Sequence, residues 1–187
     1  YDKRVFMSIV VMKFGGTSLA NKSRIINISK KIMNNLERKK KILVVVSAMG
    51  KSTNKLVEEY SKYSKCFSNP EYDLVISSGE QVSAGIIAAY LIEKGVNARS
   101  LLGWQIPIRT DSFHGKSRIK YIERKKINDL FKKIDVLVMA GFQGITDDGR
   151  ISTLGRGGSD TSAVAAAAVG AEVCEIYTDV NGIYTAD

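Results

Sequence analysis

Two glycine-rich segments of the chain have residue types suited to binding phosphate or carboxylate groups. The first, "KFGGTS" at residues 13–18, follows an apolar run and precedes a helical pattern. Adjacent Gly15 and Gly16 would let backbone N–H groups face a phosphate, and the start of the next helix would add a favourable partial charge. Lys13 would place a compact cation beside the same phosphate. A tight turn with Lys13 in water explains the same residues, so this segment alone does not distinguish a phosphate site from a turn.

The second segment, "LGRGGSD" at residues 154–160, precedes a run rich in alanine. Its three glycines again permit a close approach by an anion, and Arg156 could bind a carboxylate through two parallel hydrogen bonds. Asp160 falls in the first turn of the next helix, where an anion is stabilised, and could hold lysine side chains in place. A helix cap would explain Asp160 but would leave the glycines and Arg156 without a role.

Three further polar segments each follow an apolar run or begin a helix. In "SAMGKSTN", Ser47 and Thr53 could offer hydroxyls to a ligand, with helix capping as the alternative for Thr53. In "SSGEQ", Glu80 could recognise a ligand ammonium group, although a helix start favours a carboxylate without any function. Thr178 and Asp179 follow the last apolar run. The recurrence of polar residues after apolar runs indicates one shared ligand site.

Other chemistries have weaker support in the sequence. "MGKST" resembles the end of a Walker A motif, but the required first glycine would fall at Val45, and no GxGxxG follows any predicted strand. His114 is the only histidine and has no predicted acid or serine partner, which argues against a hydrolase triad. Asp147 and Asp148 precede a glycine and are interpreted as turn residues, so no protein metal site is predicted.

The composition limits the class of protein. A chain of 187 residues is long enough for one domain, and no uncharged apolar run is long enough to cross a membrane. The net charge of +9 raises nucleic acid as a partner, but the basic clusters contain acids and lack interleaved aromatic residues. Solvated helix faces explain these clusters better. We therefore expect a cytoplasmic protein that binds neither membranes nor nucleic acid.

The order of apolar patterns predicts alternating strands and helices. Buried strands are predicted at residues 8–14, 41–47 and 173–178, and further strands at 98–102 and 135–140. Helices are predicted from a cap at Asn21 or Ser23, and at about 52–63, 80–94, 119–132 and in the alanine-rich segment. Residues 141–153 are predicted to form a β-hairpin. This order favours a three-layer αβα sandwich with a largely parallel sheet, whose ligands bind at the carboxyl ends of the strands.

Five of these motifs, in this order, resemble the signatures of aspartate kinases, within the amino acid kinase superfamily. They are "VMKFGGTS", "VVSAMGKSTNKL", "SSGEQVS", "GFQGITDDGRISTLGRGGSD" and "EIYTDVNGIYTAD". The resemblance runs from about Val10 to Asp187, and residues 1–8 lie outside it. It implies a partial catalytic domain over residues 9–187, incomplete at its C-terminus and without the family's regulatory ACT domains. The 187-residue chain on its own is then expected to bind nucleotide weakly.

The resemblance implies an activity and assigns roles to residues. The expected reaction transfers the γ-phosphoryl group of MgATP to the side-chain carboxylate of L-aspartate, the first step towards lysine, threonine and methionine. The match implies that Lys13 stabilises the transferring group and that Asp160 organises the catalytic lysines. Other residues fall on amino-acid-binding positions (Ser47, Thr53, Glu80, Arg156) or on nucleotide-binding positions (Gly15, Gly16, Thr178, Asp179, Tyr184, Asp187). The full-length protein is expected to form a homo-oligomer.

Three alternatives remain at this stage. Another superfamily member, such as an acetylglutamate or uridylate kinase, would share the first glycine segment, but Glu80 together with "GRGGSD" argues against both. A truncated remnant could bind nucleotide without turnover. A basic nucleic-acid-binding domain would need a contiguous positive face that the pattern does not show.

Overall fold

The structure, a computed structural model, describes residues 8–38, 40–106, 108–155, 157–168 and 170–178. In chain order, the strands are β1 (Ile9–Phe14), β2 (Lys41–Val46), β3 (Ala98–Leu101), β4 (Ile108–Thr110), β5 (Ile119–Ile122), β6 (Val136–Ala140), β7 (Gln143–Ile145), β8 (Ile151–Thr153) and β9 (Val173–Tyr177). The α-helices are α1 (Lys22–Leu36), α2 (Ser52–Ser61), α3 (Pro70–Ile76), α4 (Ser78–Glu93), α5 (Arg124–Phe131) and α6 (Gly158–Ala168). A 3₁₀ helix, Gly16–Leu19, follows β1.

The main sheet is parallel and has the strand order β3–β6–β2–β1–β9 within the described residues. Its inner strands β1, β2 and β6 are almost completely buried, as expected for apolar runs covered by helices on both faces. β9 lies at the edge of this sheet and its first residue is exposed, so the prediction that this strand is buried was wrong. The parallel arrangement places the carboxyl ends of all five strands at one edge.

Helices cover both faces of the main sheet, which confirms the predicted three-layer αβα sandwich. Alternate side chains of β1 enter two separate clusters: Met12 and Phe14 pack with α1 and α4, whereas Val11 packs with α5 and α6. Lys13 follows the same alternation and therefore lies on the α6 face of the sheet. Asn21 caps α1 through its side chain, which accepts a hydrogen bond from the Arg24 N–H at 3.0 Å.

A second, smaller sheet has the order β5–β4–β7–β8. In the chain, β4 and β5 precede β6, whereas β7 and β8 lie between β6 and α6. Its β7–β8 pair is the predicted hairpin. The prediction of one helix over residues 119–132 was wrong, because the first four of these residues form β5. Ile119 and Ile122 pair with Thr110 and Ile108 of β4. Pairing with a strand elsewhere in the chain overrides a local helical pattern.

The segment Pro70–Glu93, which includes α3 and α4, is long and apolar enough to cross a membrane by length and composition. Half of its most apolar window is buried inside the protein. Ala84, Ile87 and Leu91 of α4 are part of the core beneath the main sheet. Packing in the core therefore accounts for the composition of this segment, and it is weak evidence for a membrane span.

Candidate functional site

A cavity of about 1180 Å³ lies at the carboxyl ends of the parallel strands. The structure brings together six of the predicted site residues in its lining: Lys13, Gly16, Ser47, Thr53, Glu80 and Asp160. Of the other predicted residues, Gly15 and Thr178 lie in the loops that follow β1 and β9. Arg156, Asp179, Tyr184 and Asp187 lie outside the described residues. The predicted convergence of strand-end loops on one cavity is therefore observed for the part of the chain that the structure describes.

Lys13 and Asp160 form an ion pair at the centre of this site. Lys13 is the fifth residue of β1, and Asp160 lies in the first turn of α6 on the same face of the sheet. The Lys13 Nζ lies 2.7 Å from the Asp160 Oδ1, and the exposed fractions of the two side chains are 8% and 48%. A nearly buried ammonium group is retained only when an acid partner or a ligand compensates it. The ion pair therefore keeps a cation in place at the wall of the cavity.

The two glycines after β1 have different structural roles. The Gly15 N–H donates to the Tyr177 carbonyl at 3.3 Å, so it joins β1 to β9. The Gly15 amide is thus bonded within the protein, and its role in nucleotide binding stays a prediction. At Gly16, a side chain would place its Cβ 2.6 Å from the Ala48 carbonyl oxygen. Glycine at this position allows the loop after β1 to pack directly against the loop after β2.

Glu80 enters the cavity from the first turn of α4. Its side chain is 3% exposed, and its Oε1 accepts a hydrogen bond from the Ala48 N–H at 3.1 Å. Burial raises the pKa of Glu80 to about 7, although the Ala48 N–H acts in the opposite direction. The second oxygen, Oε2, has no hydrogen-bond partner among the described residues. A buried acceptor of this kind is suited to a cationic group of a ligand.

Ser47 and Thr53 lie on either side of the loop that carries Ala48. The N-cap residue of α2 is Lys51, and its side chain makes no capping hydrogen bond. Thr53 is the second residue of the helix, so helix capping does not account for it. Its position in the cavity lining is consistent with the predicted contact to a ligand.

The glycine segment before α6 needs glycine for two separate reasons. Gly155 and Gly157 both have φ of +74°, a backbone conformation that favours glycine. At Gly158, a Cβ would lie 2.8 Å from the Phe142 ring and 2.9 Å from the Leu154 Cβ. The segment therefore curves tightly along the cavity and packs closely against the loop after β6.

Phe142 is a residue of the site that the sequence did not predict. It lines the cavity and has φ of +68°, and it is the one non-glycine residue with positive φ among those described. Its N–H donates to the Ser162 Oγ at 3.1 Å, and its carbonyl accepts from the Leu154 N–H at 2.9 Å. These bonds hold a backbone conformation that costs free energy, as is common at binding sites. No local pattern in the sequence could have revealed it.

His114 has an acid partner, contrary to the prediction. Its Nδ1 lies 2.7 Å from the Oδ2 of Asp73, which is completely buried in α3. The two residues are 41 positions apart, so no spacing rule could have paired them. The loop that carries His114 also contributes Gly115 and Lys116 to the cavity lining. The hydroxyl group in this cluster, that of Thr153, donates to Asp73 and not to the histidine. The rejection of a hydrolase triad stays a prediction.

The described residues contain no cluster of three or more His, Cys, Asp or Glu side chains that could hold a metal ion. Asp147 and Asp148 lie in the hairpin turn: Asp147 pairs with Lys120 at 2.7 Å, and Asp148 accepts from the Thr146 hydroxyl. Acidic groups on the cavity wall are instead single residues, namely Glu58, Glu80 and Asp160.

The chain is similar in sequence to a known protein family and to individual members of it. A model of the amino acid kinase family matches residues 8–187. The aspartokinase of Geobacillus stearothermophilus is 47% identical over 182 residues, which are 97% of this chain and 45% of the relative. The chain therefore spans about half the length of the curated relatives it matches.

Two solved structures have the same fold. The structure of aspartate kinase from Synechocystis has a TM-score of 0.81 and 38% identity over 94% of this chain and 29% of its own. The structure of E. coli aspartokinase III in complex with aspartate and ADP has a TM-score of 0.77 and 25% identity, covering 95% of this chain and 51% of its own.

Proposed function

Since this chain belongs to the amino acid kinase family, we propose that the protein carrying it phosphorylates the side-chain carboxylate of L-aspartate. The phosphoryl donor is ATP, and the products are 4-phospho-L-aspartate and ADP. One observation carries the proposal: a single cavity combines the Lys13–Asp160 ion pair with the buried, half-satisfied carboxylate of Glu80. The first arrangement suits a phosphate group and the second suits an amino group.

The Glu80 side of the cavity is proposed to bind the amino acid. The free Oε2 of Glu80 would accept a hydrogen bond from the substrate ammonium, which would also favour the ionised form of this carboxyl group. Ser47 and Thr53 would contribute hydroxyl groups beside it. Arg156, between two glycines of the cavity wall, is proposed to bind the α-carboxylate.

The nucleotide is proposed to bind near the ends of β1 and β9. Gly16 and the start of the 3₁₀ helix would face its phosphates, and Thr178, Asp179, Tyr184 and Asp187 are the further candidates on this side. Gly15 would contribute by holding β1 and β9 together, because its N–H already donates to Tyr177. Support for nucleotide binding comes from the E. coli aspartokinase III structure, which contains aspartate and ADP.

The reaction needs positioning and charge neutralisation more than proton transfer. The substrate carboxylate is ionised at neutral pH, so one of its oxygens can attack the γ-phosphorus while the bond to the bridging oxygen of ADP breaks. No proton moves in this step. The ammonium of Lys13 would neutralise charge on the transferring group, and Asp160 would keep that ammonium in position.

Magnesium is proposed to arrive with the nucleotide. Mg²⁺ is commonly held by substrate phosphates and one or two carboxylates, and the half-exposed Asp160 is the carboxylate beside Lys13. This donor set fits an ion carried by ATP better than one held by a protein cage. When bound, Mg²⁺ supplies positive charge that offsets the charge of the phosphates.

We further propose the cellular setting that the aspartokinase relatives suggest. The product would enter lysine, threonine and methionine biosynthesis in the cytoplasm, and the full-length protein would act as a homo-oligomer. Residues 9–187 would form part of its catalytic domain. Neither nucleic acid nor a membrane is proposed as a partner.

The test is an assay for acyl phosphate, trapped as hydroxamate, with the full natural polypeptide that carries this chain. We expect hydroxamate only when ATP and L-aspartate are both present. N-acetylglutamate and UMP, each with ATP, serve as alternative acceptors, and ADP formation is followed in parallel. Phosphorylation of either acceptor in place of aspartate, or nucleotide binding without turnover, would refute the proposed reaction.

A further inference from the structure

The carboxylate of Asp73 joins three separate parts of the chain. It is completely buried in α3 and accepts hydrogen bonds from His114 Nδ1 at 2.7 Å, the Gly115 N–H at 3.0 Å and the Thr153 N–H at 3.1 Å. The Thr153 hydroxyl also donates to it. A buried carboxylate is costly unless it is paired, and here its partners come from the loop after β4 and from the end of β8. Asp73 therefore fixes the position of this loop relative to β8.

Further bonds hold the loop of residues 113–117 against β8. The Ser117 N–H donates to the Thr153 carbonyl at 2.8 Å, and the Ser117 hydroxyl donates to the Phe113 carbonyl at 3.0 Å. The Lys116 N–H also donates to the Phe113 carbonyl, at 3.0 Å. The backbone N–H groups of Gly115, Lys116 and Ser117 are therefore all hydrogen-bonded, and they hold this turn in place.

This turn packs against the glycine segment that precedes α6. A Cβ added at Gly155 would lie 3.4 Å from the Gly115 carbonyl oxygen and 3.6 Å from the Cα of Lys116. Lys116 therefore lies next to the segment that carries Arg156. The ends of β1 and β9, where the nucleotide is proposed to bind, belong to the main sheet.

Lys116 is a further lysine of the cavity wall. It lines the cavity and is exposed, and no described acidic side chain forms an ion pair with it. Glu58 lines the same cavity and is not among the acids that form an ion pair in the described residues. Lys120, four residues later on β5, forms an ion pair with Asp147 at 2.7 Å. Lys120 therefore has an acidic partner within the protein, whereas Lys116 has none among the described residues.

We propose that Lys116 is a binding residue for a carboxylate of the amino acid substrate, and that Asp73 and His114 are positioning residues that hold it there. The proposal rests on the proposed function. In that proposal Arg156 is the one cationic residue assigned to the amino acid, because Lys13 neutralises charge on the transferring phosphoryl group. Lys116, beside Gly155, would strengthen binding on the Arg156 side.

The first experiment compares Lys116→Met with Lys120→Met in the full natural polypeptide. Each variant removes one positive charge and keeps an unbranched side chain. We expect Lys116→Met to raise the KM for aspartate about tenfold, because it removes a charge-assisted contact. Its kcat and its KM for ATP should stay within about twofold of wild type, and Lys120→Met should leave all three constants unchanged. An equal effect of the two variants, or a rise in the KM for ATP instead, would overturn the proposal.

The second experiment tests the positioning residues with two substitutions of His114. Asn places an N–H donor near the position of Nδ1, whereas Leu offers none. His114→Leu should raise the KM for aspartate about as much as Lys116→Met does, and His114→Asn should restore most of the loss at unchanged kcat. Combining His114→Leu with Lys116→Met should add little, because both act through the same contact. Full additivity, or equal activity of the Asn and Leu variants, would contradict a positioning role.

These outcomes are distinct from failure of the proposed function. A wild-type protein that forms no hydroxamate with aspartate would refute the reaction itself and the Lys116 site with it. A wild-type protein that is active while Lys116→Met matches Lys120→Met would refute the Lys116 site alone.

Discussion

The two sheets of this molecule contribute to the same cavity but differ in how they are specified. The main sheet is built from strands of four to six residues, and its inner strands are buried on both faces. The second sheet has strands of three or four residues, each of which includes partly buried positions, and β5 also has exposed ones. The main sheet provides Lys13 and the loop after β2 that hydrogen-bonds to Glu80. The second sheet provides the turn that carries Lys116, which packs against the glycine segment before α6.

The difference between the sheets suggests a division of work. The main sheet carries the residues proposed for phosphoryl transfer and for binding the ammonium group, on a rigid, fully packed support. The second sheet has less apolar burial of its own and relies on specific hydrogen bonds, above all those of Asp73. Substitutions in the two sheets should therefore affect different measurements.

The largest expected effect is on turnover, from the main sheet. Lys13→Ala removes the cation beside the transferring group, so we expect kcat to fall about 1000-fold or more. The matched control is Lys41→Ala, which removes a lysine from the amino end of β2 where it pairs with Asp135 at 2.6 Å. The hydroxamate assay measures both. A Lys13→Ala variant with near-normal kcat would show that the phosphoryl group binds elsewhere.

The next effect concerns substrate binding by Glu80. Glu80→Gln keeps the shape of the side chain and can still accept from the Ala48 N–H, but it removes the negative charge. We expect the KM for aspartate to rise about 100-fold, because a buried charge pair with the ammonium is lost. Glu71→Gln on α3, where the exposed carboxylate pairs with Arg150, is the control. Kinetics at saturating ATP distinguish the two, and similar KM values for both variants would remove Glu80 from the substrate site.

A single methyl group added to β7 of the second sheet should be destabilising. At Gly144 of β7, a Cβ would lie 2.5 Å from the Thr110 side chain and 2.6 Å from the Ile108 carbonyl of β4. Gly144→Ala should lower the free energy of unfolding by about 3 kcal/mol. In contrast, Gly85→Ala on α4 meets nothing within 4 Å and should raise it by about 0.5–1 kcal/mol. Urea denaturation measures both, and an unchanged Gly144→Ala variant would mean that β4 and β7 can separate at little cost.

The smallest predicted effect is the pH dependence of stability caused by Glu80. Its pKa in the folded protein is raised by burial from its ordinary value of 4.5 to about 7, so the folded state binds the proton more tightly. The resulting stabilisation is complete below pH 4.5 and is lost as the pH rises to about 7. Wild type should therefore lose about 1 kcal/mol per pH unit relative to Glu80→Gln in this range. Urea denaturation from pH 5 to 7.5, with the exposed Glu59→Gln as control, measures the difference, and parallel curves for wild type and Glu80→Gln would contradict it.

Local sequence patterns determined the larger part of the main sheet and its loops. Continuous apolar runs identified β1, β2 and β6. Glycine-rich or hydroxyl-rich segments identified the loops with Lys13 and Ser47 and the segment before α6. These features are encoded within a few neighbouring residues, because burial on both faces and tight turns each demand particular residue types.

Only the tertiary structure decided which of these residues meet and which others join them. The Lys13–Asp160 ion pair, the positive φ of Phe142 and the Asp73–His114 pair each depend on segments that are far apart in the chain. The short strands β4 and β5 likewise exist because they pair with each other and, through β4, with β7. Contacts of this kind are set by the packing of the whole domain, so no spacing within the sequence could reveal them.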